Sequence, residues 1–194
     1  MVETMGNVDK AVNTCNNLSE QLTRGCLDGL FMEEIFKTNL AEHGIVWRES
    51  VITENYIQKI ELMCQGYTGQ TGQSCWREIS QAYYKLVGAN LTNLKERCSK
   101  ANTADGGRAC YFRSFDFALT DQRFEKRQVA TICTDYINNA NYLYECYDWA
   151  ISGLILTSPK YVNIINDLCN TAPKSFYSSC WQMKKERIKM YTSS

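Results

Sequence analysis

The chain has 194 residues, 44% of them apolar and 12% aromatic, which is enough to fill a real core and too much for a disordered segment. Its 21 basic and 21 acidic residues cancel, excluding the global positive field that draws in nucleic acid or anionic lipid. No run approaches the ~18 consecutive apolar residues of a membrane-spanning helix. The most apolar stretch, Ala150 to Leu156, suits a core helix.

The start, Met1 to Asn7, is polar and lacks a signal-peptide pattern, so the chain reads as a mature segment with an added initiator methionine. The first cysteine pair, Cys15 and Cys26, follows, with Leu18 and Leu22 between them at helical spacing. An amphipathic helix is expected from Leu27 to Glu42, ending at His43-Gly44. Ile57 to Met63 then carries apolar residues three and four apart, up to Cys64. The corner from Cys64 to Cys75 holds Gly66, Gly69 and Gly72 and is expected to interrupt the helix. Val87-Gly88-Ala89-Asn90 breaks the next stretch, and Leu91 to Arg97 leads into Cys98. Gly106 and Gly107 fill the third corner, from Cys98 to Cys110. Thr120-Asp121 offers an N-cap before the stretch that reaches Cys133. The fourth corner, from Cys133 to Cys146, carries Ile137, Ala140, Leu143 and Tyr144 in a helical pattern. Thr157-Ser158-Pro159 ends the following helix, with Ser158 as the next N-cap and Pro159 at the first helical position. Val162 to Leu168 leads into Cys169, and Pro173 breaks the last corner before Cys180.

The five pairs enclose 10, 10, 11, 12 and 10 residues, and the last three gaps between pairs are each 22 residues. An aromatic follows the second cysteine of four pairs (Trp76, Tyr111, Tyr147 and Trp181), and Leu27 takes that place in the first. Such regularity reads as five copies of one helix–corner–helix repeat. The expected fold is all-α: about ten short helices of ten to twelve residues, in five disulfide-stapled units forming one compact domain over 1–194. There is no Cys-x-x-Cys, and His43 is the single histidine, so no metal site is expected. Disulfides are the expected state, and they imply an oxidising, extracellular address for a secreted chain. Pairing within each unit is expected: 15–26, 64–75, 98–110, 133–146 and 169–180. Spacing alone leaves the connectivity open. A continuous helix from Thr134 to Glu145 would hold Cys133 and Cys146 about 20 Å apart, beyond disulfide reach. Leu18 and Leu22 raise the same question in the first unit.

No catalytic constellation stands out. His43 sits at an expected helix end without a partnered nucleophile motif, which fits a capping or surface histidine. Glu33-Glu34 and Glu125-Lys126-Arg127 read as solvated helix faces. Gly66 to Gly72 lacks the Lys-Ser/Thr of a phosphate loop. The basic stretch Lys184 to Tyr191 reads as the solvated end of the last helix, or as a contact for an acidic partner or membrane surface. Asn17-Leu18-Ser19 and Asn90-Leu91-Thr92 are glycosylation sequons, with Asn90 at an expected exposed break. No enzyme activity and no cofactor are expected.

Aromatic load is the remaining signal. Tyr83, Tyr84, Phe115, Phe117 and Tyr144 are candidates to line a pocket between helices, or to belong to the core. Two functions follow. One is a secreted binding protein holding a small apolar ligand between its helices. The other is a secreted protein–protein effector, such as a toxin or signalling factor, that presents a rigid helical surface to a protein receptor.

Cys26-Leu27-Asp28-Gly29-Leu30, followed by later cysteine-to-cysteine corners, resembles the twenty-seven-kilodalton haemolymph glycoproteins of insects. The resemblance covers that short stretch and a helix–cysteine rhythm. It implies a secreted, cysteine-rich helical protein without an enzymatic activity.

Overall fold

The computed structural model describes residues 7–36, 52–120, 132–157 and 162–192. Nine helices have their bounds among them: α1 (Val8–Asn16), α2 (Glu20–Phe36), α3 (Glu54–Gln65), α4 (Gly69–Val87), α5 (Leu91–Cys98), α6 (Ala104–Thr120), α7 (Ala140–Thr157), α8 (Val162–Asn170) and α9 (Tyr177–Thr192). No strand occurs among the described residues. The expected all-α fold is the one observed.

All five cysteine pairs are bonded as expected, with Cα–Cα distances of 5.4–5.7 Å. The placement recurs. Cys15, Cys64, Cys98 and Cys169 sit in the last turn of their helices, and the second cysteine is the seventh residue of α2, α4, α6 and α7 and the fourth of α9. Helix lengths depart from the expected ten to twelve. Helices α1, α3, α5 and α8, which lead into a corner, have 9, 12, 8 and 9 residues. The helices that leave one have 16 to 19. Short helices of this kind are marginal alone in water, and each is clamped to a longer neighbour by its disulfide.

Both the second and the third corner break the helix as expected, but most of their glycines lie outside the breaks. The break of the second corner is only Gly66 to Thr68, and Gly69 and Gly72 lie in the first turn of α4. Gly106 and Gly107 lie inside α6. Gly69 takes φ +56°, which favours glycine, whereas Gly72 and Gly106 serve close approach. A Cβ at Gly72 would stand 2.7 Å from the Tyr67 carbonyl oxygen, and one at Gly106 would stand 2.9 Å from the Trp76 ring. The expected break at Val87–Asn90 is present. Gly88 takes φ +67°, which favours glycine, and the Asn90 side chain accepts from the Asn93 N–H at 3.1 Å to cap α5.

The fourth corner resolves the question left open by its helical pattern. Residues 135–138 form a turn, and Asn139 Oδ1 accepts from the Asn141 and Tyr142 N–H groups to start α7. Ile137 stays 47% exposed, so the apolar spacing there was never a buried face. In the first corner, α1 ends at Asn16, and Leu18 and Leu22 likewise point to water.

The chain divides into two compact units, Met1–Arg113 and Ser114–Ser194. In the first, α4 is central and packs on α2, α3 and α5. Leu27, Phe31, Ile35, Ile57, Trp76, Ile79, Tyr83 and Leu94 are wholly buried there, each contributing about 1.5–3 kcal/mol of transfer free energy. In the second unit α9 packs on α7 and α8, around Leu143, Tyr147, Ile151, Ile165, Phe176 and Met183.

Candidate functional site

The five aromatic candidates have different surroundings. Tyr83 is wholly buried on α4, and its hydroxyl donates to Glu61 Oε1 at 2.9 Å. Lys100 Nζ reaches the same carboxylate at 2.8 Å. Burial, and then the Glu61 carboxylate, push the Tyr83 hydroxyl far above the usual phenol range. Tyr83 is therefore a satisfied core donor. Tyr84 is half-buried on α4, and Phe115 is wholly buried on α6. The Phe117 side chain lies outside the described residues, as do His43 and Glu125-Lys126-Arg127. Tyr144, on α7, is 44% exposed and lines an open cleft.

That cleft has a volume of about 380 Å³ and is lined by Tyr144, Ser178, Ser179, Gln182, Met183 and Glu186. The last five lie three and four apart along α9 and so share one face. Ser178 and Ser179 leave the room that larger residues would fill. Gln182 donates to Glu186 at 2.8 Å and holds the polar rim. Both walls are anchored close to the cleft, α7 by Cys146 and α9 by Cys180.

Behind the cleft wall stands an aromatic cluster. The Tyr144 ring meets Phe176 edge-on at 6.4 Å, and Phe176 lies 5.0 Å from Tyr147. Tyr147 has no exposed surface, and its hydroxyl has no hydrogen-bond partner among the described residues. Burial alone pushes that hydroxyl up to about 12. An orphaned buried hydroxyl costs about 1–3 kcal/mol. Trp181 Nε1 is a second buried donor in this unit without a partner among the described residues. Neither Phe176 nor Met183 was among the aromatic and site candidates of the sequence. The available signal was the i, i+3 pair Tyr144 and Tyr147, which places two tyrosines on one helical stripe.

A second open cleft, of about 510 Å³, lies in the first unit between α1 and the α3–α4 corner. Its lining is mainly polar. The Tyr67 hydroxyl donates to Asp9 Oδ1 at 2.7 Å, and Asn16 and Thr71 pair at 3.3 Å.

The remaining charged features are tied into the fold. Arg187 makes a two-pronged contact with Asp148, and Lys184 donates to Asn166 while lying 4.9 Å from the Trp181 ring. Two of the basic side chains near the C-terminus therefore bind α9 to α7 and α8, and the helix continues to Thr192. Glu33 is exposed and Glu34 half-buried on α2. Among the described residues no group of His, Cys, Asp and Glu could hold a metal ion, and no helix is long and apolar enough to cross a membrane. Asn17 and Ser19 of one sequon are exposed, as are Asn90 and Thr92 of the other. Comparison with family models, with curated proteins and with solved structures finds no match to this chain.

Proposed function

We propose that the chain is a secreted, non-enzymatic binding protein that holds a small apolar ligand in the cleft between α7 and α9. The observation that carries this reading is the cleft itself: about 380 Å³, floored by Met183, walled by Tyr144, and built on two disulfide-anchored helices. Ligand sites of about 300–1,000 Å³ typically combine apolar walls with a few polar groups. Five disulfides suit an extracellular carrier that must survive dilution and proteases. The resemblance to haemolymph glycoproteins points the same way, and glycans at Asn90 and Asn17 would fit it.

The test is a fluorescence titration with N-phenyl-1-naphthylamine. Saturable binding is expected, and Ser179→Trp, which fills the cleft, should abolish it. Binding untouched by that substitution, or no binding at all, would remove the reading. A protein–protein effector is the second reading. It is favoured by Tyr144, Tyr177 and Met190, which are exposed in the same unit. Loss of receptor binding on Tyr177→Ala, in a protein that takes up no apolar probe, would select it.

A further inference from the structure

Tyr147 is the residue that follows the second cysteine of its corner, and Trp76 holds that same place in the first unit. Their polar groups fare differently. Trp76 Nε1 donates to Asn102 Oδ1 at 3.2 Å. Asn102 stands four residues after Cys98, the first cysteine of the next corner. Four residues after Cys169, in the corner that follows Tyr147, stands Pro173, which has no polar side chain. The position after the second cysteine is thus compatible with a satisfied donor. In the second unit the side chain at the matching register is one that cannot accept.

An unsatisfied buried donor is rare in native folds. Phenylalanine at 147 would fill the same space without the desolvation cost. The Tyr147 ring also belongs to a chain of ring contacts that ends at the cleft. Tyr147 packs on Phe176, Phe176 on Tyr144, and Tyr144 lines the cleft. Phe176 lies in the turn before α9, where its N–H donates to the Pro173 carbonyl at 2.8 Å. Phe176 thus precedes the first turn of α9 and is 6% exposed, and the Cys169–Cys180 bond spans the turn that carries it.

We propose that the cleft is the mouth of a deeper site for a flat aromatic molecule carrying one hydrogen-bond acceptor, which displaces the Phe176 ring and accepts from the Tyr147 hydroxyl. This rests on the reading of the cleft as a ligand site and adds the chemical class of the ligand. The raised ionisation of Tyr147 keeps the hydroxyl protonated, and so a donor, throughout the neutral range.

The test uses two naphthalenes of nearly equal size, 2-acetylnaphthalene with a carbonyl acceptor and 2-ethylnaphthalene without one. Each displaces N-phenyl-1-naphthylamine from the wild-type protein and from Tyr147→Phe. Wild type should favour the acetyl compound. Tyr147→Phe should weaken it about two- to tenfold, the span of one net hydrogen bond, and leave the ethyl compound unchanged. Phe176→Leu should speed association of both. If the probe binds but Tyr147→Phe changes neither naphthalene, or changes both alike, the deeper site is wrong and the cleft reading survives. The deeper site is equally wrong if Phe176→Leu leaves both association rates unchanged. If the probe itself does not bind, both readings fall together.

Discussion

The two units solve the same problem, burying aromatic side chains with polar ends, in opposite ways. In Met1–Arg113 several such ends are answered. Tyr83 donates to Glu61, Trp76 to Asn102, Tyr56 to the Ile35 carbonyl at 2.6 Å, and buried Arg77 to Asp28. In Ser114–Ser194 the rings of Tyr144, Phe176 and Tyr147 pack on one another, while the Tyr147 hydroxyl and Trp181 Nε1 have no partners among the described residues. A satisfied network specifies one arrangement of a core. An aromatic cluster with an idle donor holds its shape less exclusively, which supports the proposal of a ligand site at the cleft of the second unit.

The largest expected effect lies in the first unit. Asp28→Ala leaves the Arg77 guanidinium buried without its carboxylate and should cost about 3 kcal/mol in urea unfolding. A loss near zero would show that the network is ornamental and dissolve the contrast. Next, Asn102→Leu gives Trp76 the same orphaned indole that Trp181 has, and about 2 kcal/mol should be lost. Tyr83→Phe, which deprives Glu61 of a buried donor, should cost about 1.5 kcal/mol. The matching substitution in the second unit is the sharpest comparison. Tyr147→Phe removes a hydroxyl that bonds nothing among the described residues, so stability without ligand should rise by about 1–3 kcal/mol. A clear loss would mean that the hydroxyl is engaged after all.

The smallest effect appears only in alkali. Unfolded tyrosine ionises near pH 10, whereas Tyr147 and Tyr67 are each raised to about 12 in the fold. Between those values the unfolded chain holds fewer protons. The contribution is therefore complete below about pH 10 and is lost as the pH climbs towards 12. Burial is the largest cause at both sites, but at Tyr67 the Asp9 carboxylate adds to it. Asp9→Asn should accordingly bring the Tyr67 transition at 295 nm to lower pH and leave that of Tyr147 in place. If both moved, burial would not be the whole cause of the shift at Tyr147.

Much of the frame was legible in the residues themselves. A cysteine pair with ten to twelve residues between them needs only a tight corner to close, so spacing favoured pairing within units, and the corners of the fold decided it. Asn139 was the missed signal of the fourth corner: a capping residue outweighs apolar periodicity when a residue such as Ile137 stays in water. The two glycine-containing corners were legible as breaks, but the role of each glycine was not. Gly72 is needed beside the Tyr67 carbonyl of its own corner, whereas the need for Gly106 arises only when the Trp76 ring packs against it.

The sequence by itself determined the helical class, the evenly spaced ladder of ten cysteines, the break at Val87–Asn90 and the aromatic after each second cysteine save the first. These are local properties, set by neighbours within a dozen residues. Only the tertiary structure decided that Tyr83 is answered by Glu61, that Tyr147 is answered by nothing among the described residues, and that Tyr144 opens onto a cleft while Tyr83 and Phe115 are sealed in the core. Burial and hydrogen-bond satisfaction depend on side chains that meet across helices, and no spacing along the chain encodes who those neighbours will be.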